Sequence, residues 1–150
     1  MLEIFNANPD FPKKTQTFPG VFSSLEKIAG FVCSVAADLG FDSSAVYSIE
    51  TAVDEACSNI IEHAYGGEGR GMIEITCIIE EDQLKIIIHD TGQPFDLDRV
   101  PEPDFSTSLE DRPAHGLGIY IMRKWMDEVC FEFTANSGNY LTLVKKRIKR

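Results

Sequence analysis

Polar side chains recur three or four positions apart in one stretch of the chain, at Glu55, Asn59, Glu62 and His63. In an α-helix this spacing places them on one face. An Asn amide oxygen is a neutral, hard ligand for a Mg²⁺ ion that keeps most of its waters and is held mainly by phosphates. A carboxylate one turn earlier can accept a proton from an attacking water or hydroxyl. The stretch therefore predicts either a metal-and-base pair or an ordinary solvated helix face.

A second polar stretch, Asp90-Thr91-Gly92, follows the apolar residues Ile86–Ile88. A carboxylate at a rigid strand end can accept a hydrogen bond from an exocyclic amine, and a glycine two residues later lets a flat ring approach the backbone. Asp and Gly are also favoured in turns, so a simple strand exit is the alternative.

A third stretch, Gly116-Leu117-Gly118, opens a segment with apolar residues at helical spacing. Backbone amides at a helix N-terminus favour a phosphate, and glycines let the phosphate come close. About two dozen residues with little periodicity, Thr91 to Ala114, precede it. An irregular segment of that length in a compact domain is usually functional or disordered.

In this order and spacing, the stretches resemble the nucleotide site of the GHKL (Bergerat-fold) ATPases. The string from Asp54 to Tyr65 resembles the N-box helix of the small anti-sigma-factor serine kinases, E-x-x-x-N-x-x-x-H-x-Y. The resemblance spans roughly Leu25 to Lys145. Sensor histidine kinases share the fold but need a phosphoacceptor helix pair upstream, and only some twenty residues precede the first predicted helix.

The resemblance implies ATP and Mg²⁺ as cofactors and assigns roles in the first two stretches. Asn59 would hold Mg²⁺, Glu55 would be the general base, and Asp90 would accept the adenine amino group while Gly92 leaves room for the ring. His63 would lie near the phosphates or behind the metal ligand, and a buried, satisfied histidine is the alternative.

The resemblance also assigns residues 93–115 as the ATP lid. Gly116 and Gly118 would serve the phosphates and the lid. Arg112 is a candidate for a γ-phosphate contact, because a guanidinium can stabilise charge on the transferring phosphoryl group; pairing with Glu110 or Asp111 is the alternative. Two departures stand out. His115 occupies a position where family members often carry another glycine, and the first helix offers Lys27 where family kinases can place an arginine.

Two functions from different classes are compatible with these residues. The first is a serine/threonine protein kinase that phosphorylates a small anti-anti-sigma (STAS-like) partner in a partner-switching system, with a sigma factor as a further partner. The second is an ATP-gated protein-binding module with little or no transfer. A purely structural domain would need all the motifs to be coincidental. The resemblance also implies a homodimer. No Walker or protein-kinase motif is present, so transfer would rely on Mg²⁺, the helix N-terminus and Glu55.

The composition limits which kinds of partner and which cellular compartment are expected. The 150 residues suit one domain, residues 1–150, and their formal net charge of −10 argues against direct nucleic-acid binding. The four widely spaced cysteines are expected to be buried free thiols, as in a reducing compartment. No signal peptide or membrane span is expected, so the predicted location is the cytoplasm. The basic run Lys145–Arg150 is either a solvated tail or a docking patch for an acidic surface.

Periodicity predicts an α+β fold, a two-layer sandwich with a mixed, mostly antiparallel sheet covered on one face by helices. Residues 1–20 are predicted as an N-terminal strand (Leu2–Phe5) followed by extended chain or loop over Asn8–Pro19. Helices are predicted after Ser23 or Ser24 up to Gly40, from about Asp42 to before Gly66, and over Gly116–Met126. Strands are predicted over Met72–Glu80, Leu84–His89 (the sheet centre), Val129–Phe133 and Tyr140–Lys145.

Overall fold

The computed structural model describes residues 11–94 and 114–147, without the side chains of residues 114–117. The elements run in the predicted order. They are β1 (Lys13–Pro19), α1 (Ser24–Asp38), α2 (Ser43–Asn59) continued by a π-helical turn (Ile60–Ala64), β2 (Met72–Ile79), β3 (Gln83–Asp90), α3 (Ala114–Trp125), β4 (Glu128–Thr134) and β5 (Gly138–Lys146).

The five strands form one open sheet in the order β1-β2-β3-β5-β4. Every pairing among the described strands is antiparallel, whereas a mixed, mostly antiparallel sheet was predicted. β3 occupies the middle, as its dense apolar content indicates. Asp90, the last residue of β3, lies opposite Asn139 on β5. The register therefore brings the end of β3 beside the β4–β5 turn.

The prediction for the N-terminal segment was partly wrong. Lys13–Pro19 lies within the stretch predicted as extended chain or loop, yet it forms edge strand β1 and pairs with β2 from Lys13 to Pro19. Pro12 and Pro19 mark its two ends, where a missing backbone N–H interrupts no ladder. The predicted strand Leu2–Phe5 lies outside the described residues.

The helices pack on one face of the sheet and α2 contacts both α1 and α3. Strand side chains alternate between the two faces. The helix-facing positions of β2, β3 and β5 are buried in the main core together with the apolar stripes of α1 and α2: Ile28, Val32, Ile49, Val53, Ile73, Ile75, Ile86, Ile88 and Leu143. Ile78, Ile87 and Tyr140 form a second, smaller cluster, against which Phe11 packs. The two clusters explain why β3 is apolar on both faces.

The cysteines are all free. Cys57 and Cys77 are buried as predicted, but Cys33 is only half-buried and Cys130 is exposed on edge strand β4. Burial raises the pKa of the Cys77 thiol to about 12 and also raises that of Cys57, so both are inert thiols. Over residues 11–94 and 114–147, no cluster of three or more metal-ligating side chains of the Cys, His, Asp and Glu type is found. In the same ranges, no helix has the length and apolarity required to cross a bilayer.

The two N-terminal helix caps differ. Asp42 caps α2, because its Oδ1 accepts a hydrogen bond from the Ala45 N–H at 2.8 Å. Ser23 is the N-cap residue of α1, as one of the two predicted positions, but its side chain makes no capping hydrogen bond. At the other end of α1, Gly40 takes the left-handed conformation (φ 85°) that ends the helix as predicted.

Asp42→Ala is expected to lower the free energy of unfolding by about 1 kcal/mol, because it leaves the Ala45 N–H without its cap. Ser23→Ala is the matched control and should change stability by only a few tenths, since no capping bond is lost. Urea unfolding followed by circular dichroism measures both. Equal losses in the two variants would contradict the assignment of the caps.

Candidate functional site

A cavity of about 470 Å³ opens between the helices and one end of the sheet. This volume lies in the range of small-molecule sites, roughly 300–1,000 Å³. Its walls come from α2 and the π-helical turn, the end of β3, α3, and strands β4 and β5. Lining residues include Asn59, Ile60, His63, Ala64, Asp90, Gln93, Ile119, Met122, Phe131, Asn139 and Leu141. Of the predicted site residues, Asn59, His63 and Asp90 line it directly.

Glu55 and Asn59 converge on the first turns of α3. A Cβ atom added at Gly118 would lie 3.0 Å from Glu55 Oε2 and 3.2 Å from Asn59 Nδ2. Both side chains are partly buried rather than spread on a solvated face. The glycine at position 118 therefore allows α2 and α3 to approach where the predicted base and metal ligand lie.

The environment of Glu55 suits proton transfer. Partial burial raises its pKa above the ordinary value, and the negative charges of Asp54 and Glu62 raise it further. A carboxylate with a higher pKa is a stronger base, and general catalysis is most efficient when the pKa approaches the working pH.

Asp90 is 5% exposed and held in one orientation. Its Oδ1 accepts hydrogen bonds from the Gly92 N–H at 2.9 Å and from Asn139 Nδ2 at 2.8 Å. Within the described ranges, Oδ2 accepts no hydrogen bond, so it is the oxygen available to a ligand in the cavity. Burial raises the pKa of Asp90, while the bonds from Asn139 and Gly92 and the nearby His89 oppose the rise.

Gly92 lies against the helix end rather than on the cavity wall. A Cβ atom there would come 2.4 Å from the carbonyl oxygen of Ala64. Position 92 therefore requires glycine because the Ala64 carbonyl lies so close. This reason differs from the expected one, which was space for a flat ring. A role of Gly92 toward adenine stays a prediction.

His63 lies within the π-helical turn and is exposed. Its side chain is 46% accessible, and its Nε2 lies 3.8 Å from Glu62 Oε2. The alternative of a buried histidine is therefore wrong. In the π-helical turn the Tyr65 N–H donates to the Ile60 carbonyl five residues earlier, at 2.8 Å. Such turns often occur at functional sites.

Comparison with known proteins assigns the chain to a family. The histidine kinase-like ATPase domain family matches residues 18–145. The serine-protein kinase RsbW of Bacillus velezensis is 33% identical over 115 residues, which cover 74% of this chain and 71% of that protein. RsbW of Halalkalibacterium halodurans is 36% identical over 118 residues, covering 76% and 70%. The chain belongs to the histidine kinase-like ATPase family. Its group within that family is the anti-sigma serine kinases, which are GHKL ATPases that use ATP.

Two solved structures share the fold. The RsbU and RsbW domains of a Mycobacterium tuberculosis protein match with a TM-score of 0.61 at 18% identity, covering 90% of this chain. The chain spans only 32% of that longer protein. The catalytic domain of the histidine kinase ThkA matches with a TM-score of 0.53 at 14% identity, covering 91% of this chain and 99% of that domain. These likenesses confirm the predicted α+β fold of the histidine kinase-like ATPases.

The predicted lid lies largely outside the described residues, and α3 begins earlier than predicted. Arg112 and residues 95–113 of the predicted lid lie outside the described residues. Gly116 lies in the first turn of α3, which begins at Ala114, two residues earlier than predicted. Gly118 is therefore the fifth residue of the helix, beyond the four N–H groups left free at a helix start. Its close contact with α2 is the role that the structure shows.

Asn139 is a site residue that the sequence patterns did not single out. Its Nδ2 lies 2.8 Å from Asp90 Oδ1, 3.1 Å from the Gly92 carbonyl and 3.4 Å from the Gln93 carbonyl. In the sequence, Asn139 reads as part of the Asn-Ser-Gly-Asn turn. Only the pairing of β5 with β3 brings it to Asp90, so no local signal identifies it.

Asn139→Ala should make ATP binding more sensitive to acid. The lost hydrogen bond stabilises the carboxylate, so the pKa of Asp90 rises further and the group becomes protonated at a higher pH than in the wild type. Protonated Asp90 accepts an amino hydrogen bond less well, so affinity should begin to fall at higher pH. Calorimetric titration of ATP between about pH 8 and about pH 5 tests this. Asn136→Ala, in the same turn, is the control. A pH profile for Asn139→Ala equal to that of wild type would contradict the assignment.

Proposed function

We propose that the chain is a Mg²⁺- and ATP-dependent serine/threonine kinase of the anti-sigma type. Its substrate would be a small STAS-like anti-anti-sigma protein in a partner-switching system, and it would hold a sigma factor until that partner displaces it. The observation that carries the proposal is the convergence of Glu55 and Asn59 on Gly118, beside a cavity that ends at Asp90 with one carboxylate oxygen unpaired among the described residues.

At the adenine end, Asp90 Oδ2 would accept a hydrogen bond from the 6-amino group of ATP. Hydrogen bonds from Asn139 and Gly92 fix the carboxylate before the ligand arrives, so little ordering remains when the base binds. Apolar side chains such as Ile60, Met122 and Leu141 line the same cavity and would contact the ring faces.

At the phosphate end, the donor set fits magnesium. Asn59 offers one neutral amide oxygen, and Mg²⁺ accepts few protein ligands because phosphate oxygens and waters fill its other positions. The ion would neutralise charge on the phosphates of bound ATP. Gly118 would let α3 approach this end of the ligand, and His63, on the cavity wall, would lie near the phosphates.

Glu55 would move the proton. The hydroxyl of a substrate serine or threonine attacks the γ-phosphorus, the bond to the ADP oxygen breaks, and a carboxylate oxygen of Glu55 accepts the hydroxyl proton. The raised pKa of Glu55 favours that acceptance. Its placement one turn before Asn59 on α2 keeps base and metal ligand on the same side of the helix.

Membership in the group supports the proposed partners, since its relatives are named as serine-protein kinases. The net charge of −10 suits a protein partner with basic residues better than a nucleic acid. A homodimer and a cytoplasmic location complete the proposal.

An ATP-gated binding module is the second candidate. Lys27, exposed on α1, takes the place where related kinases can carry an arginine. An ammonium is a point charge without the planar fork with which a guanidinium holds a phosphate or carboxylate. If this replacement removed catalysis, the chain would bind ATP and control the docking of a partner without transferring a phosphoryl group.

Glu55→Gln is expected to lower phosphoryl transfer by about 10²–10⁴-fold, the usual contribution of a general base. ATP binding should change little, because Asp90 and Asn59 are intact. The assay incubates the chain and Mg·ATP with each STAS-domain protein of its own organism and measures phosphoserine and phosphothreonine by mass spectrometry. Glu50→Gln, an exposed carboxylate on the same helix, is the control and should retain the wild-type rate.

The outcomes separate the two candidates. Transfer by wild type and Glu50→Gln but not by Glu55→Gln supports the kinase. Nucleotide binding by wild type with no labelled serine or threonine on any candidate would favour the binding module. Equal transfer by wild type and Glu55→Gln would remove Glu55 from its role as base.

A further inference from the structure

The hydroxyl of Tyr65 joins two segments that are distant in sequence. It donates to the Met72 carbonyl at 2.6 Å, at the start of β2, and accepts from the Thr91 N–H at 3.0 Å. Thr91 directly follows Asp90. A phenolic oxygen that both donates and accepts is needed for this pair of contacts.

The Tyr65 ring is enclosed by a backbone that has no side chain to displace it. A Cβ atom at Gly71 would come 2.3 Å from the ring. The Gly71 carbonyl in turn accepts from the Gly20 N–H at 2.8 Å, which ties this backbone to the chain after β1. The ring therefore packs at the hydroxyl end against a backbone position where only glycine fits.

The π-helical turn adds a second attachment to the same strand exit. The Ala64 carbonyl accepts from the Gln93 N–H at 2.8 Å. Together, Tyr65 and Ala64 hold Thr91 and Gln93, which flank Gly92 on either side. Gly92 itself donates to Asp90 Oδ1. A shift of this turn would thus move the Asp90 carboxylate, which is proposed to hydrogen-bond to the adenine base.

We infer that Tyr65 is a positioning residue for base recognition: its hydroxyl sets the turn that orients Asp90 toward the 6-amino group of the nucleotide. This inference rests on the proposed ATP site. Tyr65 acts through Thr91 and Gly92. Thr91 is exposed, so water can hydrogen-bond its N–H when the hydroxyl is removed, but water does not hold the turn in place. The loss should therefore appear in nucleotide discrimination more than in folding.

The test compares ATP with purine riboside triphosphate, which lacks the 6-amino group, by calorimetry on the full chain. Tyr65→Phe keeps the ring on Gly71 and removes only the hydroxyl. We expect the preference for ATP over the amine-free nucleotide to fall by about three- to tenfold relative to wild type. Tyr47→Phe is the matched control: its ring is 60% exposed and packs edge-on against Trp125. It should retain the wild-type preference.

A second pair of variants tests the packing of the ring. Gly71→Ala should push the ring out of place and lower the same preference, whereas Gly30→Ala, with open space around its Cβ position, should not. If Tyr65→Phe fails to fold, this pair decides the question. Wild-type preference in the folded variants at positions 65 and 71 would overturn the inference. Failure of wild type to bind ATP would instead overturn the proposed function, so the two failures are distinguishable.

Discussion

The close approach of the β3 exit to the end of the α2 helix is the constraint on which the site depends. The Ala64 carbonyl lies where a side chain at residue 92 would be, and the same oxygen accepts from the Gln93 N–H. Such contact needs a glycine and a carbonyl freed from its regular helical partner. The glycine meets the first need. Ala64 meets the second because it is the last residue of the helical segment, where carbonyls have no helical partner. The helix that carries Glu55 and Asn59 and the strand that carries Asp90 are therefore joined at one point.

The buried charge of Asp90 underlies both the proposed recognition of adenine and the expected pH dependence of ATP binding. Burial of Asp90 disfavours its ionised form, and hydrogen bonds to Oδ1 offset part of that cost while leaving Oδ2 for a ligand. A ligand amine would donate a hydrogen bond to the second oxygen, which has no hydrogen-bond partner among the described residues. Glu55 has a different balance. Its partial burial raises its pKa, the negative charges of Asp54 and Glu62 raise it further, and no hydrogen bond from the described residues fixes its oxygens. One carboxylate suits recognition and the other suits proton transfer.

The parts of the molecule that could be predicted are those with local signals. Helical periodicity predicted α1 and α2, and the apolar run Ile86–Ile88 predicted the central strand. The motif residues Asn59 and Asp90 line one cavity, and Glu55 lies beside Asn59 at Gly118. The errors arose where context overrides local pattern. The prolines in Asn8–Pro19 favour a loop by composition, but the two in the described part, Pro12 and Pro19, fall at the ends of an edge strand. Cys130 reads as apolar, but edge strand β4 leaves it exposed.

The contacts that complete the site could not be predicted, because they are made by residues far apart in the chain. Asn139 meets Asp90 across 49 residues, and Tyr65 meets Thr91 across 26. The first contact depends on the register of β3 and β5, and the second depends on how the helix ends after the π-helical turn. The sequence carries no distinct local signal for either feature. In the sequence, Tyr65 was identified only as the last residue of the motif that resembles the N-box, with no role assigned to it.

The central claim is that Asp90 recognises the adenine base of ATP in this cavity by accepting a hydrogen bond from its 6-amino group. Calorimetric titration of Mg·ATP into wild type and Asp90→Asn tests it most directly, because the amide keeps the shape of the side chain and removes its charge. The account predicts measurable binding by wild type and a loss of about tenfold or more in the variant, as expected when an acceptor is lost from a buried hydrogen bond. Equal affinity of the two proteins for Mg·ATP would contradict it.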